Sequence, residues 1–146
     1  MTRMKFNVKA HKSWPVKSRN FVKQAANWGI KRLKIDMQPI TVLFRFMGEN
    51  LEDSGSCLRM SDDKYIIHLY ARKSLRSIIS TVFHELTHVK QHIYDNFHVT
   101  HEGIMWKTFY YPEYKQNYWN DPWEIDARAS EIILRKEFFT SLKNSS

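Results

Sequence analysis

Cysteine is almost absent from this chain of 146 residues, since Cys57 is the only one. A single thiol cannot form an internal disulfide, which excludes the class of small secreted proteins that are stapled by disulfides. A structural zinc site built on several cysteines is excluded for the same reason. The lone thiol fits a reducing compartment, and we expect a cytoplasmic location.

Long hydrophobic runs are also missing. No stretch has the length and apolarity of a transmembrane helix, and residues 1–20 are basic and interrupted by polar side chains, unlike a secretory signal. We therefore expect no membrane association. The four glycines and four prolines are scattered, and 42% of the residues are hydrophobic. These features predict one compact domain over residues 1–146.

Acidic residues are missing from the first 35 positions, which carry ten Lys or Arg residues, and the whole chain has a net charge of +8. We interpret residues 1–17 as a basic N-terminal arm that leads into a helix. Such a segment would suit nucleic acid or an acidic protein surface through charge neutralisation. A solvated helix face with a basic tail predicts the same composition.

Hydrophobic periodicity predicts an α+β fold with a small, mostly antiparallel sheet. The strands and helices are separated by short polar or proline-containing stretches, and the residues between the last two helices are rich in aromatics. The expected elements are a helix over 18–33, a strand over 40–47, a hairpin of strands 56–60 and 65–70, a helix over 74–94, an extended or hairpin connection, and a helix over 121–141.

The helix over 74–94 contains His84-Glu85-Leu86-Thr87-His88. With 3.6 residues per turn, His84 and His88 lie one turn apart on the same face, where two imidazoles can bind one metal ion. This pattern is typical of helices that bind a catalytic zinc ion, which activates a water molecule. Glu85 is expected to act as the general base. The sequence therefore predicts a Zn²⁺-dependent peptidase. His92 continues the spacing but lies about 12 Å from His84 along a straight helix, too far to share the ion.

A catalytic zinc needs a third protein ligand, and the last helix offers Glu124 and Asp126, which lie about 160° apart on it. Glu124 lies on the same side of the helix as Arg128 and Glu131, a charge pattern typical of a solvated face. It also stands three residues after Asp121, the spacing of a helix capping box. Asp126 lies on the side expected to pack inward, where a metal would satisfy its carboxylate. We therefore predict Asp126 as the third ligand, with Glu124 and His101 as the alternatives.

The motif His84–His88 is followed by Trp106-Lys107, by Tyr118-Trp119 and by the segment 122–128. In these residues the chain resembles the minimal gluzincin-like metallopeptidases of bacteriophages. The resemblance covers roughly residues 65–131. It implies a minimal zincin fold, peptide or protein substrates, and a place in the host cytoplasm or the virion. Gluzincins typically carry a glutamate ligand directly before an alanine, a position that Asp126 occupies here. Thermolysin-like gluzincins also have an aspartate four residues after this ligand, which orients a zinc-binding histidine. Ser130 occupies that position in this chain.

Two other interpretations remain open. The segment His101-Glu102-Gly103 before Trp106 partly resembles SprT-like proteases, which act on DNA-bound proteins and take a histidine as the third ligand. In that case His101 would complete the site and the basic N-terminal segment would contact DNA. Alternatively, the chain is a non-catalytic zincin scaffold associated with nucleic acid or a virion. Glu85 argues against this last interpretation, because a structural metal site does not need a base.

Overall fold

The structure is a computed structural model and describes residues 2–72, 74–112 and 118–145. The α+β class is confirmed. In chain order, the helices and strands are β1 (Arg3–Phe6), α1 (Val16–Arg32), β2 (Thr41–Glu49), β3 (Gly55–Ser61), β4 (Lys64–Ala71), α2 (Leu75–Tyr94), β5 (His98–Thr100), β6 (Gly103–Trp106), β7 (Phe109–Tyr111) and α3 (Pro122–Asn144), with short 3₁₀ helices at Ile35–Met37 and Tyr118–Asn120.

The larger sheet has the strand order β1-β2-β4-β3. The expected hairpin is confirmed, because β3 pairs antiparallel with β4. The sheet as a whole is mixed, since β1 and β4 both pair parallel with β2. Helix α1 supplies the crossover that a parallel β1–β2 pair requires. Part of the expected N-terminal arm is therefore an edge strand of the sheet.

The three helices share a core with one face of this sheet. Val42, Phe44 and Phe46 of β2 and alternate residues of β4 point into this core, where they meet apolar residues of α1, α2 and α3. Val22 and Ala26 of α1 are fully buried there, which explains the apolar stripe in an otherwise basic helix. This packing fixes α2 between the sheet and α3.

Helix α2 begins where the sequence predicts. The hydroxyl of Ser74 accepts a hydrogen bond from the backbone N–H of Ser77 at 3.3 Å, as a helix N-cap does. At the other end, Asn96 has a φ of 53°, a left-handed conformation that Asn tolerates and that stops the helix.

The connection from α2 to α3 contains a second, fully antiparallel sheet of β5, β6 and β7. Four aromatic and aliphatic side chains gather beneath it in a separate cluster: Phe97, Ile104, Trp106 and Trp123. Trp123 lies at the start of α3, so this cluster fixes the end of α3 that approaches α2. Among the described residues, no helix combines the length and apolarity needed to cross a bilayer.

Candidate metal centre

His84 and His88 lie side by side on α2, facing the start of α3. Their ring centroids are 5.0 Å apart, and each residue is only 8% exposed. Both are flanked by buried apolar residues of α2, which hold the backbone rigidly against the core. As the sequence predicts, one helical turn brings two imidazoles to a common point.

The third group at this point is Glu124 of α3. Its Oε1 lies 2.9 Å from His84 Nε2, and its Oε2 lies 3.0 Å from His88 Nε2. Potential ligand atoms of these three residues all lie within 4.8 Å of one another, and all three residues are buried. Two imidazoles and a carboxylate with this spacing are a donor set that suits zinc.

The structure does not bring the expected ligand Asp126 to this point. The Asp126 carboxylate instead accepts a hydrogen bond from Gln91 Nε2 at 2.9 Å. The sequence interpretation assumed that α3 buries its apolar side, but Ile125 and Ile133 are about half exposed, whereas Glu124 is 6% exposed. Asp121 also makes no side-chain capping bond to the helix, so the predicted capping box is absent. The carboxylate candidate is therefore Glu124.

The outer nitrogen atoms of both histidines are also engaged. His84 Nδ1 lies 2.9 Å from Glu131 Oε1, and His88 Nδ1 lies 2.7 Å from Gln91 Oε1. Each contact orients a ring so that its Nε2 faces Glu124. Partners of this kind are characteristic of histidines that ligate metals. The sequence interpretation assigned Gln91 no role at the metal and placed Glu131 on a solvated ridge, although Glu131 stands two turns after Glu124 on the same side of α3.

The charges in this cluster stabilise one another strongly. Burial lowers the pKa of His84, but hydrogen bonds with Glu124 and Glu131 outweigh it and raise the pKa to about 10. Burial also lowers the pKa of His88, but the hydrogen bond with Glu124 contributes to a net rise. In turn, burial would raise the pKa of Glu124, but the two histidines hold it at about 2. A cation is thus strongly favoured beside the Glu124 carboxylate, whether it is an imidazolium or a metal ion.

Glu85 lies beside the cluster and lines two adjoining clefts. One cleft of about 290 Å³ contains Glu85 and His84, and the other, of about 260 Å³, contains Glu85, His88 and Glu124. Burial raises the pKa of Glu85, partly offset by the two histidines. Its carboxylate is therefore a stronger base than an exposed one, next to the predicted metal position.

Strand β3 forms the wall of both clefts opposite α2. Gly55 lines both of them, and Ser56 and Cys57 line the second. Strand β4 is an interior strand, paired with β2 on one side and with β3 on the other, so it has no free edge. The free edge beside the clefts therefore belongs to β3. Burial raises the pKa of the Cys57 thiol well above its usual value, so the thiol is protonated there.

Two arginines line the cleft on the His84 side. Arg128 of α3 donates to the carbonyl oxygen of Trp119, and its guanidinium lies 3.9 Å from the centre of the Trp119 ring. Arg128 Nη1 and Arg72 Nε are buried and have no hydrogen-bond partner among the described residues. These nitrogen atoms are donors that a bound carbonyl or carboxylate would satisfy.

The remaining histidines lie outside the cluster. His101 is exposed in the turn between β5 and β6, where its ring lies 3.9 Å from the Glu102 carboxylate. His92 stacks on Phe97 at 4.6 Å and places Nδ1 2.8 Å from the carbonyl oxygen of Phe97. The structure thus agrees with the exclusion of His92 and does not bring the alternative ligand His101 to the site.

Comparisons of the chain with protein-family models, with curated proteins and with solved structures found no match.

Proposed function

We propose that this chain is a zinc-dependent metallopeptidase in which His84, His88 and Glu124 bind the metal and Glu85 is the general base. The observation that carries the proposal is the convergence of two imidazoles and one buried carboxylate beside a second buried carboxylate. The first three groups make a metal site, and the fourth adds the base that hydrolysis needs.

The donor set supports zinc over harder cations. Imidazole nitrogen suits zinc and other transition metals, whereas Mg²⁺ and Ca²⁺ prefer sites built entirely from oxygen. Bound zinc would lower the pKa of water to about 7 and polarise a peptide carbonyl. Glu131 and Gln91 bond the Nδ1 atoms of the two histidines and would keep both Nε2 atoms directed at the metal. Three protein ligands would leave one position on the metal open for water or substrate.

Glu85 is placed to move the proton. It follows the ligand His84 directly on α2, and its side chain lines both clefts that border the cluster. We infer that Glu85 takes a proton from the attacking water and delivers it to the leaving amine. Its burial keeps the carboxylate away from bulk water, which would otherwise compete for that proton.

A peptide substrate fits the exposed edge of β3. The described strands leave β3 with β4 as its only partner in the sheet, so one row of its backbone groups is free to bond an extended peptide. Arg72 and Arg128 offer donors to substrate carbonyl groups at the His84 end of the cleft. We infer that the substrate lies along β3 with its scissile bond over Glu85.

The test is a comparison of Glu85→Gln with wild type for zinc content and for cleavage of an unfolded protein substrate. We expect Glu85→Gln to keep zinc and to cleave about 10²–10⁴-fold more slowly, the usual contribution of a general base. Glu102→Gln, which alters an exposed glutamate in the β5–β6 turn, is the matched control and should cleave normally.

Two outcomes would contradict the proposal. Wild type that holds a full equivalent of zinc yet cleaves no substrate would favour a non-catalytic scaffold. Cleavage by Glu85→Gln at the wild-type rate would remove Glu85 from the mechanism. An SprT-like arrangement would instead require that His101→Ala lose zinc, and the exposed position of His101 gives no support for that result.

A further inference from the structure

The face of the larger sheet that turns away from the helices carries a basic surface. Because side chains alternate along a strand, the residues between the core positions of each strand lie on this opposite face. Arg3 and Lys5 of β1 alternate with the core-packed Met4 and Phe6. In the same way Arg45 of β2 stands between Phe44 and Phe46. We call Arg3, Lys5, Arg45 and Lys64 the outer basic face.

Strand register brings these four cations into one patch. Arg3 and Lys64 both pair with Thr41, one from each side, so they are two strands apart, or about 10 Å between Cα atoms. Lys5 pairs with Leu43, which lies two residues before Arg45 on β2, a step of about 7 Å. All four side chains belong to exposed residues. The patch therefore presents four positive charges to solvent.

Acidic residues contribute little to this surface. The only one in the four strands is Glu49, at the last position of β2 beyond an irregularity in the pairing. In the turn between β3 and β4, Asp62 is bound by Arg59 and Asp63 by the hydroxyl of Ser61. The cations of the strands therefore outnumber the acidic residues at their ends, and the net charge of the patch is positive.

The basic character continues past the end of β1. Backbone N–H groups of Asn7 and His11 donate to the carbonyl oxygens of Phe44 and Phe46, so the chain keeps following β2 after the strand ends. This segment adds the exposed Lys9. The outer basic face therefore extends along the β1 edge of the sheet.

Apolar side chains lie between the cations. Ile66 of β4 pairs with Leu43 of β2 on one side and with Leu58 of β3 on the other, so these three residues form one row across the outer face. Leu58 is 45% exposed, whereas Ile66 is only 6% exposed, so Leu58 is the member of the row that solvent reaches most. Alternation also places Tyr70 on this face, two residues beyond His68. Cations with apolar and aromatic groups between them are the pattern with which sheet faces bind single strands of nucleic acid.

From this surface we infer that the chain binds single-stranded nucleic acid on its outer basic face, with phosphates on Arg3, Lys5, Arg45 and Lys64 and bases against Leu58 and Tyr70. Charge complementarity favours nucleic acid over a protein partner. Protein interfaces commonly exchange charges of both signs, whereas the only acidic residue in the strands of this patch is Glu49, at the end of β2. A polyphosphate backbone requires cations alone.

This site would be independent of the proposed peptidase. The helices α1, α2 and α3 pack on the opposite face of the sheet, and the clefts beside Glu85 lie between α2 and β3. Nucleic acid on the outer face would therefore leave the metal centre open. The two activities can be tested separately on the same chain.

The experiment measures binding of a labelled 20-nucleotide single strand by fluorescence anisotropy, over a range of salt concentrations. One variant combines Lys5→Gln, Arg45→Gln and Lys64→Gln. Its matched control combines Lys17→Gln, Lys31→Gln and Lys136→Gln, which removes as many exposed cations from helices α1 and α3. Thermal melts of all three proteins confirm that each is folded.

We expect the sheet variant to bind at least about tenfold more weakly than wild type at low salt. The slope of log affinity against log salt concentration should become shallower by about 2, because each of the three lost phosphate contacts contributes about 0.7. The control should keep the wild-type slope. Equal losses in both variants would show a general effect of net charge and overturn the inference. Tighter binding of a duplex, or equal binding of polyglutamate, would overturn the assignment to single strands.

Discussion

Gln91 holds His88 in the tautomer that a metal requires. Gln91 Nε2 donates to the Trp123 carbonyl and to Asp126 Oδ2, which are acceptors only at 2.8 and 2.9 Å. The amide oxygen of Gln91 must therefore face His88 Nδ1, which donates to it at 2.7 Å. In the neutral ring the lone pair is then on Nε2, directed at Glu124. Gln91 is fully buried, so water cannot replace it easily.

Gln91→Leu should weaken zinc binding by about 10–100-fold, the usual effect of removing a partner of a ligand histidine. Leucine fills a similar volume but leaves His88 Nδ1 without an acceptor. Competition with a chelating dye measures the affinity, and ¹⁵N chemical shifts of the His88 ring report its tautomer. Gln24→Leu, at an exposed position of α1, is the control. An unchanged affinity in Gln91→Leu would mean that the ring is oriented by other contacts.

The identity of the carboxylate ligand can be tested by three substitutions. Glu124→Gln should reduce zinc affinity by more than the roughly 10–100-fold expected for loss of an outer partner. Asp126→Asn should change it by less than about tenfold, because the new amide oxygen still accepts from Gln91. His101→Ala should leave it unchanged. Equilibrium dialysis with zinc distinguishes these cases. A greater loss of zinc affinity in Asp126→Asn than in Glu124→Gln would support Asp126 as the third ligand, as the sequence predicts.

Helix α2 was predictable because its signals are local. The Ser74 cap, the apolar stripe and the spacing of His84 and His88 all lie within α2 itself. The carboxylate that α3 contributes to the cluster was not predictable in this way. Glu124 was assigned to a solvated ridge but is buried, and Asp126, assigned to the inward side, contacts Gln91 instead of the histidines. Which face packs inward is decided by α2 and by the aromatic cluster around Trp123, and neither is encoded in the sequence of α3 alone.

Strand β1 shows the same limit in the sheet. Arg3–Phe6 is short and basic, and it pairs in parallel with a strand more than 30 residues away. No turn sequence marks such a pair, unlike the β3–β4 hairpin with its polar turn. The N-terminal residues were therefore interpreted as an arm, and the basic patch that they build with Arg45 and Lys64 became visible only in the folded sheet.

Gly55 allows β3 to approach α2 at the cleft. A Cβ at this position would lie 2.5 Å from Thr81 Cγ2 and 2.8 Å from the carbonyl oxygen of His68. Gly55→Ala should therefore lower the free energy of unfolding by about 1–3 kcal/mol, as overpacking does. Gly48→Ala is the control, because the nearest group to its Cβ would be the exposed ring of His11, at 3.2 Å. Urea unfolding measures both. Equal stability of Gly55→Ala and wild type would mean that β3 can shift without cost.

His92 should make the metal-free protein sensitive to mild acid. Burial, partly opposed by the hydrogen bond with Phe97, lowers the pKa of His92 to about 4 from 6.5. The unfolded chain therefore binds this proton more tightly, so the stability contribution is complete above pH 6.5 and is lost as the pH falls towards 4. The full loss is about 3 kcal/mol, because each tenfold difference in proton affinity between the folded and unfolded chains corresponds to about 1.4 kcal/mol.

Replacement of His92 removes this titration. His92→Gln should be less stable than wild type at pH 7.5, but its free energy of unfolding should fall less between pH 6.5 and 4.5. Glu124 does not obscure the comparison, since its lowered pKa of about 2 moves its own loss of stability to more acidic solution. Urea unfolding in the presence of a chelator, repeated across this range, gives the difference. His101→Gln, which alters an exposed histidine, should follow wild type. Parallel pH profiles for wild type and His92→Gln would show that the buried ring is protonated as readily in the folded chain as in the unfolded one.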